Sequence, residues 1–395
     1  MQSRNDIVII GGGACGLLAS ILLAKKGKSV TVLEQNSSFA KKLRVSGNGR
    51  CNISNTSISA KNYHTKNQEL LKNILKNFTY SDAKKLFNFF GIEFYESDDG
   101  RVFLMSLDAK SVVEVLVSHA KFYGVELFTN TKVLDVKKEQ EFIIKTGSKT
   151  FKAKKLLVCS GSFAYEKIGA SSIGYDIARS FGHSLVDIFP SLVQVEFEDK
   201  KIKDASGVKV NSKVKVLVDG DLKKEVRGDL LFTNYGLSGL AILDISYYVA
   251  KYSDKNIDLV VDLLPNLSQQ ELKAILQKRL KLKNILDFDS WLGAVINKKL
   301  IPLVTDKKQI NQKVINQLSY NIKNLKITPK KVRDAKYAEI IAGGVDASEV
   351  DSKTLESKKV KRLYFGGEVL NVAGDRGGYN LHFAFGSALS LSNHF

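Results

Sequence analysis

The chain has 395 residues, with 60 Lys and Arg against 41 Asp and Glu, and 44% of its residues are apolar. That length suits two or three domains of roughly 150 residues each, and the apolar share is enough for full cores, which excludes global disorder. The net charge of +19 points to phosphate-bearing partners or an anionic surface, while three cysteines without a C-x-x-C pair exclude a disulfide scaffold and a cysteine-rich zinc site.

Asp6 to Ile10 reads as a short apolar strand ended by a glycine cluster. Ala14 to Lys26 follows as a helix with Leu17, Leu18, Ile21 and Leu22 on one side, stopped by Gly27. Ser29 to Glu34 is the next strand, so the chain opens with a β-α-β unit and a parallel pair. The uncharged run Ile7 to Ala24 is broken by Gly11, Gly12, Gly13 and Gly16 and is followed by no small-residue cleavage site. It is therefore read as neither signal peptide nor anchor, and a soluble, cytoplasmic protein without membrane attachment is expected.

Residues 36–60 are polar and read as an extended loop. Helical periodicity resumes over Gln68–Phe78, Ser81–Phe90 and Ala109–Tyr123. A hairpin-like stretch, Lys132–Lys152, leads into the apolar strand Lys155–Ser160 and the turn Gly161–Ser162. From Ser191 to Asp262 short alternating runs, such as Val208–Leu217 and Leu230–Thr233, predict a β-rich segment. Asn266 to Lys336 changes to amphipathic helical text, including Gln269–Leu280 and Gln309–Leu325. Within it 16 Lys and Arg stand against five Asp and Glu, so this fifth of the chain carries +11 of the +19. Such a surface suits nucleic acid, where neutralised phosphates release counterions. Leu363–Phe395 returns to strand, glycine-rich turn and helix.

Gly11-Gly12-Gly13-Ala14-Cys15-Gly16 contains G-x-G-x-x-G between a strand and a helix, and Glu34 ends the next strand. The glycines permit a tight turn and close approach of backbone to a pyrophosphate. The helix amino end supplies N–H groups to the phosphates, and the acid accepts from an adenosine ribose. No second G-x-G-x-x-G occurs at Gly169–Gly174 or Gly366–Gly367. A tandem two-nucleotide reductase is therefore disfavoured, and FAD is expected as the resident cofactor. Arg44 to Asn55, RVSGNGRCNISN, is a compact loop rich in backbone donors, flanked by Lys41, Lys42, Arg44 and Arg50, and suits an anion or a flavin edge.

These phrases, together with Gly169–Tyr175 (GASSIGY), LLFTNYGLSG (Leu230–Gly239), AGGVD (Ala342–Asp346) and GGEVLNVAGDRGGYNLHFAF (Gly366–Phe385), resemble the BaiN/RdsA-type FAD-dependent oxidoreductases over essentially the whole chain. The resemblance implies an α/β fold. A split Rossmann-type FAD-binding domain, 1–190 and 337–395, would carry an inserted β-barrel-like domain, 191–265, and a basic helical insertion, 266–336. It implies Gly11, Gly13, Ala14, Gly16, Glu34 and Gln35 at the ADP half of FAD. Lys42, Ser46, Gly47, Gly49, Arg50, Cys51, Val133 and Gly161 would lie along the flavin and its phosphates. Gly367, Glu368, Gly377, Gly378, Tyr379 and Asn380 would close over the ribityl chain and ring. Departures from the family phrases are Asn371 for an acid, His382 for a frequent Gln, and Cys159-Ser160-Gly161 for Ala-Thr-Gly.

Some members of the family reduce a uridine of 23S ribosomal RNA to dihydrouridine, using FAD with NAD(P)H as a transient electron donor, and others act in bile-acid reduction. The basic insertion favours RNA, with 23S rRNA or an assembly intermediate as the partner of residues 266–336. The hydride would go to C6 and a proton to C5. Cys51 is the first candidate for the acid, with His382, Tyr379 and Tyr235 as alternatives. A small-molecule enone or quinone reductase and an RNA-binding protein with a vestigial flavin site are the competing readings. No metal site is expected, and the sequence leaves the oligomeric state open.

Overall fold

The structure, a computed structural model, describes residues 4–395. The chain forms two compact units: residues 1–188 with 340–395, and residues 189–339.

In the first unit, strand β1 (Arg4–Ile10) leads through helix α1 (Ala14–Lys25) to strand β2 (Val30–Leu33), and the two strands pair in parallel. Every residue of β2 is buried, as expected of a parallel strand covered on both faces. The sheet has seven strands, ordered Glu126–Phe128, β2, β1, Thr150–Val158, Phe142–Thr146 and Val133–Lys138, with Leu363–Phe365 also on Thr150–Val158. Thr150–Val158 does double duty. Its first half pairs antiparallel with Phe142–Thr146, and its last three residues pair parallel with Leu363–Phe365. The two ends of the chain thus meet in one sheet. Helix α1 packs on the closing helix Tyr379–Asn393 and on helix Ala109–Phe122.

The polar segment 36–60 is more ordered than its composition suggests. Lys41–Val45 forms a short helix, α2, anchored by buried Leu43, and Ser54–Asn55 forms a strand, β3. Strand β3 pairs with Arg101–Leu104, which pairs in turn with Phe94–Glu96, a small antiparallel sheet of its own.

The second unit is built on a seven-stranded antiparallel sheet. Its order is Leu325–Ile327, Ile257–Asp262, Lys209–Val218, Asp221–Thr233, Gly236–Ser238, Val195–Glu196 and Lys331–Val332. Among the described residues this order has two ends. Residues 191–265 and 266–336 lie in this one compact unit. One core joins Leu259 and Val261 of the sheet to Leu272, Leu276, Trp291, Ile315 and Leu318 of the helical segment. The physical reason is the strand Leu325–Ile327. It lies beyond the helices in sequence and pairs with Ile257–Asp262, which folds the helices back over the sheet. Trp291 is fully buried; its indole N–H donates to the Arg279 carbonyl at 2.9 Å, and Arg279 donates back to the Trp291 carbonyl at 2.8 Å.

Candidate functional site

The glycine turn occupies the carboxyl end of β1. Gly11 has φ +101°, and a Cβ there would sit 2.5 Å from the Cys159 carbonyl oxygen; at Gly16 it would sit 1.9 Å from the Gly11 oxygen. These two glycines are required by the fold itself. Gly13 differs. It is the amino cap of α1, offers no side-chain cap, and a Cβ there would meet nothing within 4 Å. The amino end of α1 therefore faces open space, where orphan N–H groups and the helix dipole favour an anion. Ala14 begins the helix behind it.

Glu34 follows β2 and is buried. Its carboxylate accepts from the Gly12 N–H at 3.0 Å and from the Asn36 N–H and side-chain amide at 2.8 and 2.9 Å. It thus ties the turn to the strand end and keeps lone pairs for a further donor. Gln35 donates to the Gly169 carbonyl. Val133 is buried at the start of its strand, and Gly161 follows the end of Thr150–Val158 with φ +70°.

Segment 46–51 folds on itself. The Ser46 hydroxyl donates to the Leu43 carbonyl at 2.7 Å, the Cys51 N–H donates to the Ser46 carbonyl at 3.0 Å, and Gly47, Asn48, Gly49 and Cys51 all have positive φ. Lys42, in α2, pairs with Glu368 at 2.6 Å, and the Ser162 hydroxyl donates to the same carboxylate at 2.8 Å. Gly367 donates its N–H to the Ser387 hydroxyl at 2.9 Å. Gly378 caps the closing helix at φ +98°, where a Cβ would fall 2.2 Å from the Ser54 carbonyl oxygen. The Gly377 carbonyl accepts from Asn55 at 3.0 Å, and the Asn380 amide spans both backbone groups of Gly374 at 2.8 and 2.9 Å. All of the sequence-expected cofactor residues therefore belong to the first unit, on its strand ends, its 41–51 segment and its closing turn.

Among the described residues of the first unit, four buried side-chain atoms have no protein partner: Arg44 Nε, Asn52 Oδ1, Ser160 Oγ and Tyr175 OH. Buried polar atoms ordinarily find partners, so these are places where a polar ligand would complete the accounting. A Cβ at Gly174 would lie 2.2 Å from Ser160 Oγ, and one at Gly378 would lie 2.9 Å from Asn52 Oδ1. The open cap at Gly13, the acid at Glu34 and these orphaned atoms fit FAD. Asn52, Ser160 and Tyr175 lie inside phrases the sequence singles out, yet residue type alone gives no sign that they are buried and unpaired.

The candidate acids fare differently. Cys51 is fully buried, and burial pushes its thiol up to about 12. His382 is also fully buried. Its Nε2 faces the Phe78 carbonyl at 2.8 Å and must carry the proton there, which leaves Nδ1 to accept from the Ser54 hydroxyl at 2.8 Å. Burial pulls its pKa down to about 4. Both nitrogens are hydrogen-bonded within the protein, and the ring links the closing helix to β3. Tyr379 starts that helix, and the Tyr63 hydroxyl donates to its carbonyl at 3.0 Å. Tyr235 belongs to the second unit, where the Arg333 guanidinium lies 4.2 Å over its ring and 3.5 Å over that of Tyr337.

A parallel sheet with an open glycine-capped helix end and an acid after its second strand is the architecture of a Rossmann-type FAD-dependent oxidoreductase. Comparison with known proteins narrows this class. The chain belongs to the HI0933-like family, whose Rossmann-domain model matches residues 5–393. It is 33% identical to the ribosomal RNA dihydrouridine synthase of Haemophilus influenzae, covering 99% of this chain and 98% of that protein. The Escherichia coli ribosomal RNA dihydrouridine synthase is 31% identical, with 98% and 97% covered. The 3-dehydro-bile acid delta(4,6)-reductase of Clostridium scindens is 32% identical over 78% of this chain and 76% of its own. No described helix is long and apolar enough to cross a membrane.

Proposed function

We propose that this protein is a cytoplasmic enzyme that reduces a uridine of 23S ribosomal RNA to dihydrouridine, with NAD(P)H as the electron source. The observation that carries the reading is the end-to-end match to two ribosomal RNA dihydrouridine synthases, which spans the 266–336 segment as well as the Rossmann unit. The +11 excess of that segment supports it, because a polyanion rewards such a surface and a bile acid does not. FAD, when bound, supplies the hydride for C6. The chain's own part is to hold that group and to manage the proton.

Gly13 and the first turn of α1 would receive the pyrophosphate, and Glu34 the ribose. Lys42 and Ser162 hold Glu368 in place at the closing turn. The proton at C5 requires a donor that can reach substrate. A thiol with no exposed surface and a pKa near 12 serves poorly, and His382 has no nitrogen to spare. The proton is therefore assigned to a phenol, with Tyr379 the candidate within the unit that carries the FAD residues.

Nucleoside mass spectrometry of 23S rRNA, with and without the gene, tests the reading. Dihydrouridine should vanish on deletion and return with wild type or Cys51→Ala, but not with the phenylalanine variant of the donor tyrosine. An unchanged rRNA profile alongside a yellow protein would sink it. The 32% identity to the bile-acid reductase would then favour a small-molecule enone as substrate.

A further inference from the structure

The small sheet of the first unit has two unlike faces. Val102 and Leu104 turn inward and are buried. The alternate residues of that strand, Arg101 and Phe103, turn the other way, and Met105 continues the ladder by donating its N–H to the Glu93 carbonyl at 3.0 Å. Tyr95 is the cross-strand partner of Phe103; the Tyr95 ring is exposed, while Phe103 is buried on the same side of the sheet. A groove of about 660 Å³ opens over them, lined also by Leu107 and Arg50. Tyr95, Met105 and Leu107 are 51%, 69% and 44% exposed, an unusual grouping of large apolar side chains in water.

The charges around the groove are unequal. Glu96 is engaged by Tyr80 and Lys84, and Asp99 by Arg101 at 2.7 Å. Arg50 has only a 3.3 Å bond to the Gly47 carbonyl, and its guanidinium lies 5.1 Å from the Phe103 ring centre. The Arg101 guanidinium lies 5.5 Å from the same ring. Arg50 also belongs to a long acid-free stretch: Gln35 to Gln68 holds six Lys and Arg and no Asp or Glu. An exposed ring, Tyr95, and the exposed Met105 beside two guanidinium groups and a cationic segment match a strand of stacked bases with phosphates along one edge.

We propose that this outer face, with Tyr95 and Met105 as platform and Arg50 as phosphate contact, binds an unpaired segment of the substrate RNA. The inference rests on the ribosomal RNA reading and adds where single-stranded RNA is gripped. A flipped or unpaired uridine needs its neighbours held open, and a stacking face does this without sequence readout.

The test uses the FAD-loaded full chain and a fluorescein-labelled eight-nucleotide oligouridylate at low salt, with dihydrouridine in cellular rRNA scored separately. Tyr95→Ala and Met105→Ala should each weaken binding by about fivefold or more, with the flavin absorbance unchanged, and Tyr95→Phe should bind like wild type. Wild-type affinity in both alanine variants overturns the platform, while dihydrouridine that depends on the gene leaves the enzyme reading standing. A duplex of equal length that binds as tightly as the single strand also overturns it, since paired bases cannot stack on the face. Failure of the wild type to bind RNA, with rRNA unchanged on deletion, removes both.

Discussion

Glycines in this protein fall into two kinds, and substitution separates them. Gly378→Ala puts a methyl group 2.2 Å from a backbone oxygen at φ +98°, which should cost about 2 kcal/mol or more in urea unfolding. Gly13→Ala meets nothing, so its stability should change by less than about 1 kcal/mol. Its FAD affinity should nevertheless fall sharply, because the methyl enters the space left for phosphate. Flavin absorbance after gel filtration measures this directly. A Gly13→Ala protein that retains flavin would remove the anion site from the amino end of α1. His382 supplies a second test. Its pKa near 4 when folded, against 6.5 when exposed, means the unfolded chain takes up the proton first as pH falls. Stability from this group is whole above pH 6.5 and should drop by about 3 kcal/mol as pH approaches 4. His382→Gln, which cannot titrate, should flatten that part of the pH–stability curve; an identical slope in both proteins would count against the assignment.

At the scale of elements, the opening β-α-β unit, the helices near 68–89 and 109–122 and the closing strand–turn–helix are legible from periodicity and glycine punctuation. The limits miss by a residue or so, as helix ends fray. What periodicity could not reveal is pairing across long separations. Strand Ser54–Asn55 has two residues within polar text, and only its partner Arg101–Leu104 makes it a strand. Leu325–Ile327 is likewise three residues, yet it decides that the helical segment shares a core with the sheet. A side chain reinforces that decision. Lys323, at the end of helix Gln312–Lys323, pairs with Asp262 at 2.6 Å with both side chains largely buried, and also donates to the Leu264 and Leu267 carbonyls. Lys323→Ala leaves Asp262 unpaired in that setting and should destabilise the second unit by about 3 kcal/mol. Urea unfolding followed by the single tryptophan, Trp291, reads this unit, and an unaltered midpoint would contradict it.

For the molecule as a whole, the second unit is a continuous segment with its own core, so residues 189–339 should fold alone with a cooperative thermal transition. A molten fragment, with far-ultraviolet but no near-ultraviolet dichroism, would show the opposite. Its charge makes a separate forecast. Lys278, Lys281 and Lys283 are exposed near Ile285, itself 75% exposed. Changing all three to Gln should lower the slope of log affinity for single-stranded RNA against log salt by about 2. An unchanged slope would move the phosphate contacts elsewhere.

The placement of Leu363–Phe365 and the closing helix carries a consequence for biosynthesis. The strand Thr150–Val158 pairs in parallel with β1 but waits for its second parallel neighbour until some two hundred residues later, and Gly378, Tyr379 and Asn380 emerge later still. Residues 189–339 can leave the exit tunnel and condense before this closing segment is made. On the FAD site proposed above, loading waits for that segment, and a nascent chain stalled before Leu363 should hold a folded insertion and no colour.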